Sequence, residues 1–183
     1  LACGPFGVAA IAIGEDELII EDGLNTTAPY KWTGSGNAAA LGGSPPNATM
    51  VAYHKRMAFA AGNNTNPSTL YFSDVGDIDN WTPALSGNVS VETNDGSIIR
   101  AITPGFDALY IWKDKSIWRL TGEDKDTFVL QRMVPDLGVV SPNAVGIIGN
   151  EFILSAYNNR SYIYDGSLGI KLISTKIEGT TDN

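Results

Sequence analysis

Hydrophobic residues in this chain occur in short runs separated by turns rich in glycine and aspartate, and the arrangement repeats four times. Each repeat has an apolar run, a turn, and an aromatic run that ends near Gly or Asp. The apolar runs begin at residues 17, 56, 108 and 151, so they lie 39, 52 and 43 residues apart. This spacing is typical of the roughly 40–50-residue repeat in which one blade of a β-propeller is a four-stranded sheet. The pattern therefore predicts an all-β fold, a β-propeller with about four blades in this chain.

The third and fourth repeats predict individual strands. The third is expected to form strands at 98–103, 108–112, 117–120 and 128–133, and the fourth at 144–148, 151–156, 161–164 and 170–174. Gly149 and Asn150 lie between two apolar runs and predict a tight hairpin, because both residue types tolerate positive φ. No stretch keeps a helical apolar period, so helix should be scarce. The residues expected to be largely buried are Leu109, Ile111, Ile117, Leu120, Phe152 and Leu154.

The repeats also predict how the chain is divided. We expect an N-terminal strand or linker at 1–14, blades at 15–46, 47–95, 96–135 and 136–177, and a tail at 178–183. The chain begins at Leu1 rather than Met, and a partial propeller would expose apolar blade faces. We therefore expect these four blades to be part of a larger propeller.

The composition of the chain excludes several classes of protein. Hydrophobic residues make up 43% of the chain and charged residues 17%, which allows a sizeable core. The formal net charge of −8 argues against a nucleic-acid groove, because phosphate binding needs clustered Lys and Arg. No apolar run reaches the roughly 20 residues of a membrane-spanning helix. The single cysteine, Cys3, excludes an internal disulfide framework.

The acidic segment 74–80 is the best candidate for a cation site. Asp74, Asp77, Asp79 and Asn80 could offer hard oxygen ligands to calcium. The segment lacks the distal glutamate of a calcium-binding EF-hand loop, and Asp side chains in turns commonly bind nearby backbone amides. We therefore predict no bound metal or cofactor, with these four residues as the calcium candidates and Trp81 packed beneath the turn.

Other polar and aromatic residues suggest alternative chemistry. His54 is the only histidine, so a metal or triad site would have to include it. Two carboxylates could pair for glycoside hydrolysis, and some of the aromatic side chains could form a glycan-binding platform. The scattered carboxylates are Glu15, Asp16, Asp95, Asp107 and Glu151, and the strand aromatics are Tyr30, Trp32, Tyr71, Phe72, Tyr110, Trp112, Trp118, Tyr162 and Tyr164. We expect the carboxylates to be solvated turn acids and the aromatics to fill the space between blades.

Several sequence segments resemble the propeller domains of tailed-phage virion proteins, and the resemblance covers about residues 15–174. They are the segments 70–81, 98–103, 109–113, 116–122 and 164–166, followed by 171–175. The resemblance is closest to the tail nozzle or tail tubular B-like proteins of short-tailed phages and to neck and tail stabilisation proteins. It implies a structural part of a symmetric ring at the tail, which contacts like subunits and other virion proteins.

The resulting expectation is a virion structural protein that acts by subunit assembly and has no catalytic residues. The first alternative is a lectin-like propeller that binds a host-surface glycan or receptor through loop aromatics. The second is a glycan-processing enzyme with paired carboxylates.

Overall fold

The computed structural model describes residues 10–174 apart from 15, 16, 83, 85, 106, 157 and 168. These residues form four consecutive four-stranded antiparallel sheets. In every sheet the strands lie side by side in chain order, so each sheet is a meander of three hairpins. The only helical segment in the described ranges is a 3₁₀ turn at Pro142–Ala144, as the absence of helical periodicity predicts.

The sixteen strands have the following bounds. Sheet 1 contains β1 (Ala10–Gly14), β2 (Glu17–Glu21), β3 (Tyr30–Trp32) and β4 (Ala39–Ala40). Sheet 2 contains β5 (Met50–His54), β6 (Met57–Ala61), β7 (Thr69–Phe72) and β8 (Gly87–Ser90). Sheet 3 contains β9 (Ile99–Gly105), β10 (Ala108–Lys113), β11 (Ser116–Thr121) and β12 (Val129–Pro135). Sheet 4 contains β13 (Val145–Ile148), β14 (Glu151–Ser155), β15 (Ser161–Tyr164) and β16 (Ile170–Leu172).

Two details differ from the sequence-based expectation. Sheet 1 already begins at Ala10, so the segment placed before the first blade supplies its first strand, paired with β2 from Ala10↔Glu21 to Gly14↔Glu17. In the β13–β14 hairpin only Gly149 has positive φ, at 59°, and Asn150 does not need it. One residue with left-handed backbone is therefore enough to close this turn.

Each sheet has two faces, because successive side chains of a strand point to opposite sides and directly paired residues share a side. We call the face toward the preceding sheet the rear face and the face toward the following sheet the front face. Between sheets 1 and 2, the front-face residue Ile19 packs with Val51 and Ala58 of the next rear face. All three are buried, so the contact excludes water.

The other two sheet–sheet contacts are larger and richer in aromatic rings. The front face of sheet 2 packs on the rear face of sheet 3, and Phe72 meets the ring of Phe128 edge-on at 5.0 Å. The front face of sheet 3 packs on the rear face of sheet 4, where Phe152 lies 4.7 Å from the Tyr110 ring and 5.2 Å from the Trp112 ring. Such tilted and edge-on geometries are favourable for aromatic pairs. The six residues predicted to be buried are all at most 2% exposed, which confirms that prediction.

A buried lysine fixes the junction between sheets 2 and 3. Lys113 at the end of β10 has no exposed surface. Its Nζ donates hydrogen bonds to the Val91 carbonyl (2.7 Å), the Glu92 carbonyl (2.7 Å) and Asp95 Oδ1 (2.8 Å). All three ammonium protons are thereby satisfied, which is the condition for holding a charge away from water. These hydrogen bonds therefore hold the loop from sheet 2 to sheet 3 against the end of strand β10.

The four sheets follow one another without closing into a ring. Buried cores join sheet 1 to sheet 2, sheet 2 to sheet 3 and sheet 3 to sheet 4, but no such core joins sheet 4 to sheet 1 among the described residues. Within the described ranges, the rear face of sheet 1 and the front face of sheet 4 consequently have no sheet against them.

We expect Phe152→Ala to lower the free energy of unfolding by about 3–5 kcal/mol, because the ring is enclosed and its removal leaves a cavity. Urea or guanidinium unfolding measures the change. Val129→Ala is the matched control: Val129 is 60% exposed, and its truncation should alter stability by no more than about 0.5 kcal/mol. Equal effects of the two substitutions would contradict the packing at sheet 4.

Candidate functional site

The acidic turn 74–80 is closed by its own hydrogen bonds. Asp74 Oδ1 accepts from the Val75 amide at 2.7 Å, and Asp77 Oδ1 accepts from the Asp79 amide at 3.0 Å. Asn80 Nδ2 donates to Asp74 Oδ2 at 3.3 Å, and the Asp74 amide donates to the Asn80 carbonyl at 2.9 Å. These contacts are the usual way in which Asp and Asn side chains stabilise a turn.

The side chain of Asp79 points toward sheet 1 and not toward a point that Asp74 and Asp77 could share as calcium ligands. Its carboxylate accepts the Gly42 amide at 2.8 Å and pairs with the Lys31 ammonium. Partial burial alone would raise the pKa of Asp79, but the Lys31 and Gly42 hydrogen bonds outweigh it and hold the pKa below its usual value. Asp79 therefore ties the acidic turn of sheet 2 to sheet 1.

Trp81 anchors the end of the same turn. Its indole Nε1 donates to the Ile78 carbonyl at 2.8 Å, and its ring packs on the core between sheets 1 and 2. This is the position that the sequence predicts for Trp81. The amphipathic ring thus serves both as a hydrogen-bond donor and as apolar filling.

Positive charge lies on the other side of the turn. A Cβ added to Gly76 would come within 2.4 Å of Arg56 Nη2, so the guanidinium covers this glycine. The Gly76 amide also donates to the Arg56 carbonyl at 2.7 Å. Arg56 and Lys55 form the β5–β6 turn with φ of 62° and 45°. Two L-residues in this left-handed region are strained, so the β5–β6 turn is held by its surroundings.

The structure does not bring the four calcium candidates around one point. In the described part of the chain, no group of three or more His, Cys, Asp or Glu side chains is arranged to hold a metal. The carboxylate oxygens of Asp74, Asp77 and Asp79 already accept protein donors, and two cationic side chains lie close by. The absence of a metal stays a prediction, which the calcium titration below tests.

The remaining polar candidates lie in separate places. His54 is half-buried at the end of β5, its Nε2 has no hydrogen-bond partner among the described residues, and burial followed by the charge of Lys55 lowers its pKa. Burial would raise the pKa of Asp95, but hydrogen bonds from Lys113 and Ser97 outweigh it and lower the pKa to about 2. Asp107 and Glu151 are exposed, while Glu15 and Asp16 lie outside the described residues.

One perturbed carboxyl group has no signal in the sequence. Glu21 is fully buried at the end of β2; its Oε1 accepts the Asp22 amide at 3.1 Å, and its Oε2 has no partner in the described chain. Burial, reinforced by the neighbouring Asp22 carboxylate, outweighs the Asp22 amide and raises the pKa of Glu21 to about 8. The Leu24 amide holds the pKa of Asp22 below its usual value. The two neighbours therefore behave differently, with Glu21 neutral and Asp22 ionised at neutral pH.

The aromatic candidates divide into three groups by location. The first group lies between sheets, as expected of blade-filling residues: Phe72, Tyr110, Trp112 and Tyr164 are buried there, and the partly buried Trp118 and Tyr162 pack against the same cores. Tyr71 lines a cavity of about 260 Å³ on sheet 2 together with Trp81, Asn88 and Ser44. Tyr30 and Trp32 lie on the uncovered face of sheet 1.

The uncovered faces at the two ends of the series of sheets carry exposed apolar side chains. On the rear end face, defined as the outward face of sheet 1, cross-strand pairing places Ile13, Leu18 and Trp32 in one row and Ile11, Ile20 and Tyr30 in another. Ile11 is 61% exposed and Ile13 is 74% exposed. The front end face, the outward face of sheet 4, carries Ile148, Ile153 and Ile163. Large exposed apolar patches of this kind mark sites of association.

We expect calcium to leave the melting temperature of the protein unchanged, because the carboxylates of the acidic turn are already engaged by protein donors. In the same assay Asp79→Asn should lower stability by about 1 kcal/mol, since it weakens the contacts to Lys31 and Gly42. A calcium-dependent rise in melting temperature that is lost in Asp79→Asn would overturn the prediction.

Stability should also depend on the ionisation of Glu21. The pKa is near 4.5 in the unfolded chain and about 8 in the folded protein, so the folded state binds the extra proton between these values and stability falls as the pH rises through this window. The slope approaches about 1.4 kcal/mol per pH unit. Urea unfolding of the wild type and Glu21→Gln across this range measures the difference, with exposed Glu151→Gln as the control.

The lowered pKa of His54 contributes a slope of opposite sign below pH 6.5, but it is common to both proteins and cancels in the difference. A stability difference between wild type and Glu21→Gln that does not vary with pH would show that Glu21 is ionised in the folded state.

Comparison with known proteins identifies the fold and no family. No protein-family model and no curated protein matches the sequence. The computationally designed Ika4 protein superimposes with a TM-score of 0.52 at 14% identity, over 89% of this chain and 94% of Ika4. YCF48 from Cyanidioschyzon merolae superimposes with a TM-score of 0.57 at 11% identity, over 94% of this chain and 61% of YCF48. The chain thus spans less than two thirds of YCF48, and these likenesses support a repetitive, β-propeller-like all-β fold.

Proposed function

We propose that this chain supplies four blades of a larger β-propeller and acts as a structural component of a bacteriophage virion, in the tail nozzle, tail tube or neck. The observation that carries the proposal is the rear end face, an exposed sheet surface whose six paired strand residues are all apolar or aromatic. A surface of this composition is suited to permanent association with another protein surface. The resemblance to propeller domains of phage tail proteins supports the virion location.

Several of the segments that carry this resemblance contribute side chains to the cores between sheets. Residues 109–113 and 116–122 include most of β10 and all of β11, whose inward side chains build two of the three sheet–sheet contacts. Tyr164 lies in one of these two cores, the one between sheets 3 and 4. The resemblance therefore rests on residues that determine packing, as expected for a protein whose role is structural.

The proposed partners are like subunits in a ring and other virion proteins. A ring uses heterologous contacts, in which one face of a subunit meets a different face of the next. The two end faces of this chain differ in composition, which suits such a contact. The proposed location is the virion, and no catalytic step or cofactor is assigned to the protein.

A glycan-binding role is the second candidate, and one observation favours it. The cavity on sheet 2 combines two aromatic side chains, Tyr71 and Trp81, with the amide of Asn88 and the hydroxyls of Ser44 and Ser86. An aromatic face and a few polar groups are the elements that a sugar site uses. The cavity is a surface cleft between sheet 2 and the segment 44–46, whereas the end faces extend over whole sheets.

We expect peptides from this chain to be recovered by mass spectrometry from gradient-purified phage particles, at a constant ratio to the major capsid protein. An integral virion part stays with the particles after a high-salt wash, because burial of apolar surface is little affected by screening. Soluble host proteins in the same lysate serve as the control for carry-over. Absence from washed particles together with micromolar binding to a glycan array would favour the lectin-like alternative.

A further inference from the structure

The repeat shows what should cover the rear end face. The second strands of the four sheets place equivalent residue pairs on their rear faces: Leu18 and Ile20, Ala58 and Ala60, Leu109 and Ile111, and Phe152 and Leu154. In sheets 2, 3 and 4 these residues are at most 1% exposed, because the front face of the preceding sheet lies against them. In sheet 1 the corresponding Leu18 and Ile20 are only half-buried.

Sheet 1 closely resembles sheet 3 on this face. Leu18 and Ile20 correspond to Leu109 and Ile111, and the aromatic Tyr30 on the third strand corresponds to Trp118. The first strand adds Ile11 and Ile13, which are more than half exposed. The same kind of residue set is a closed interface in one sheet and an open surface in the other. The rear end face therefore continues the series of sheet–sheet interfaces already present in the chain.

The other end of the molecule offers a front face of the required kind. Ile153 pairs with Ile163 at its centre, and Ile148 is 63% exposed. Gly146 lies on the same face, and a Cβ added there would meet no atom within 4 Å. Charged side chains, Glu151 and Lys171, lie toward its edge and are exposed. The face is thus apolar at the centre and polar at the rim, as protein interfaces are.

We propose that the rear end face of one copy of this chain docks against the front end face of a second copy, and that two copies close a ring of eight sheets. Each molecule has one face of each sense, so the contact is heterologous and two identical contacts satisfy both copies. Propellers typically have about four to eight blades, which two copies of four reach and three copies exceed. The inference rests on the proposed larger propeller but not on the virion role.

Oligomeric state in solution tests the proposal. Sedimentation equilibrium or light scattering of the 183-residue chain should give twice the chain mass. Ile13→Lys on the rear end face and Ile148→Glu on the front end face should each give monomers, because each change places a charge in both contacts of the ring. Val129→Lys, at a residue of similar exposure on the outermost strand of sheet 3, should remain dimeric.

Mixing the two monomeric variants tests directly whether a rear end face binds a front end face. The Ile13→Lys copy keeps an intact front end face and the Ile148→Glu copy an intact rear end face, so the mixture forms one unaltered contact and should recover the dimer mass. Tyr30→Arg, farther along the rear end face, replaces Ile13→Lys if that variant has lost its β-sheet circular dichroism.

Each other outcome overturns the proposal. A monomeric wild type means that the end faces close on each other or take blades from elsewhere. A dimer that only the sheet 1 variants disrupt, with no recovery on mixing, means that two rear end faces meet. Larger assemblies exclude the two-copy ring. None of these results bears on the presence of the protein in washed phage particles, so failure here is distinguishable from failure of the virion proposal.

Discussion

A β-sheet has two faces, and a four-stranded sheet rich in isoleucine, phenylalanine and tryptophan must bury both of them. This chain meets that requirement by stacking consecutive sheets, so that the front face of one is the cover for the rear face of the next. The aromatic rings of sheet 3 illustrate the constraint, because Trp118 packs toward sheet 2 while Tyr110 and Trp112 pack toward sheet 4. Every internal contact follows from this requirement, and so do the two uncovered faces.

The requirement also explains which parts of the fold the sequence predicts. Sheets 3 and 4 have strands long enough to show their alternation, and their predicted bounds lie within about two residues of the observed ones. In sheet 1 the last strand is only Ala39–Ala40, too short for a periodic signal. The first strand, Ala10–Gly14, stands before the first repeat phrase, and only pairing with β2 identifies it.

The polar contacts could not be predicted, because they join residues that are separated in the sequence. In the sequence Lys113 stands at the polar end of an apolar run, and nothing there indicates that its side chain is buried. Its partners lie about twenty residues earlier and become neighbours only when sheets 2 and 3 stack. Asp79 could not be predicted for the same reason. In the sequence it is one of three acids in a turn, and its partner in the structure is Lys31, 48 residues away. The equivalence of Leu18 and Ile20 with Leu109 and Ile111 follows from the strand register, and it identifies the rear end face.

The burial of Lys113 also determines how this side chain reacts with reagents that modify lysine amines. A reagent that modifies lysines requires an accessible, unprotonated Nζ, and this one has no solvent exposure and donates all three protons to fixed acceptors. Exposed lysines such as Lys115 can react in the folded protein, whereas Lys113 becomes reactive only when the loop 91–95 moves away from the end of strand β10. The labelling rate of this single side chain therefore measures how often the junction between sheets 2 and 3 opens, independently of events at the ends of the chain.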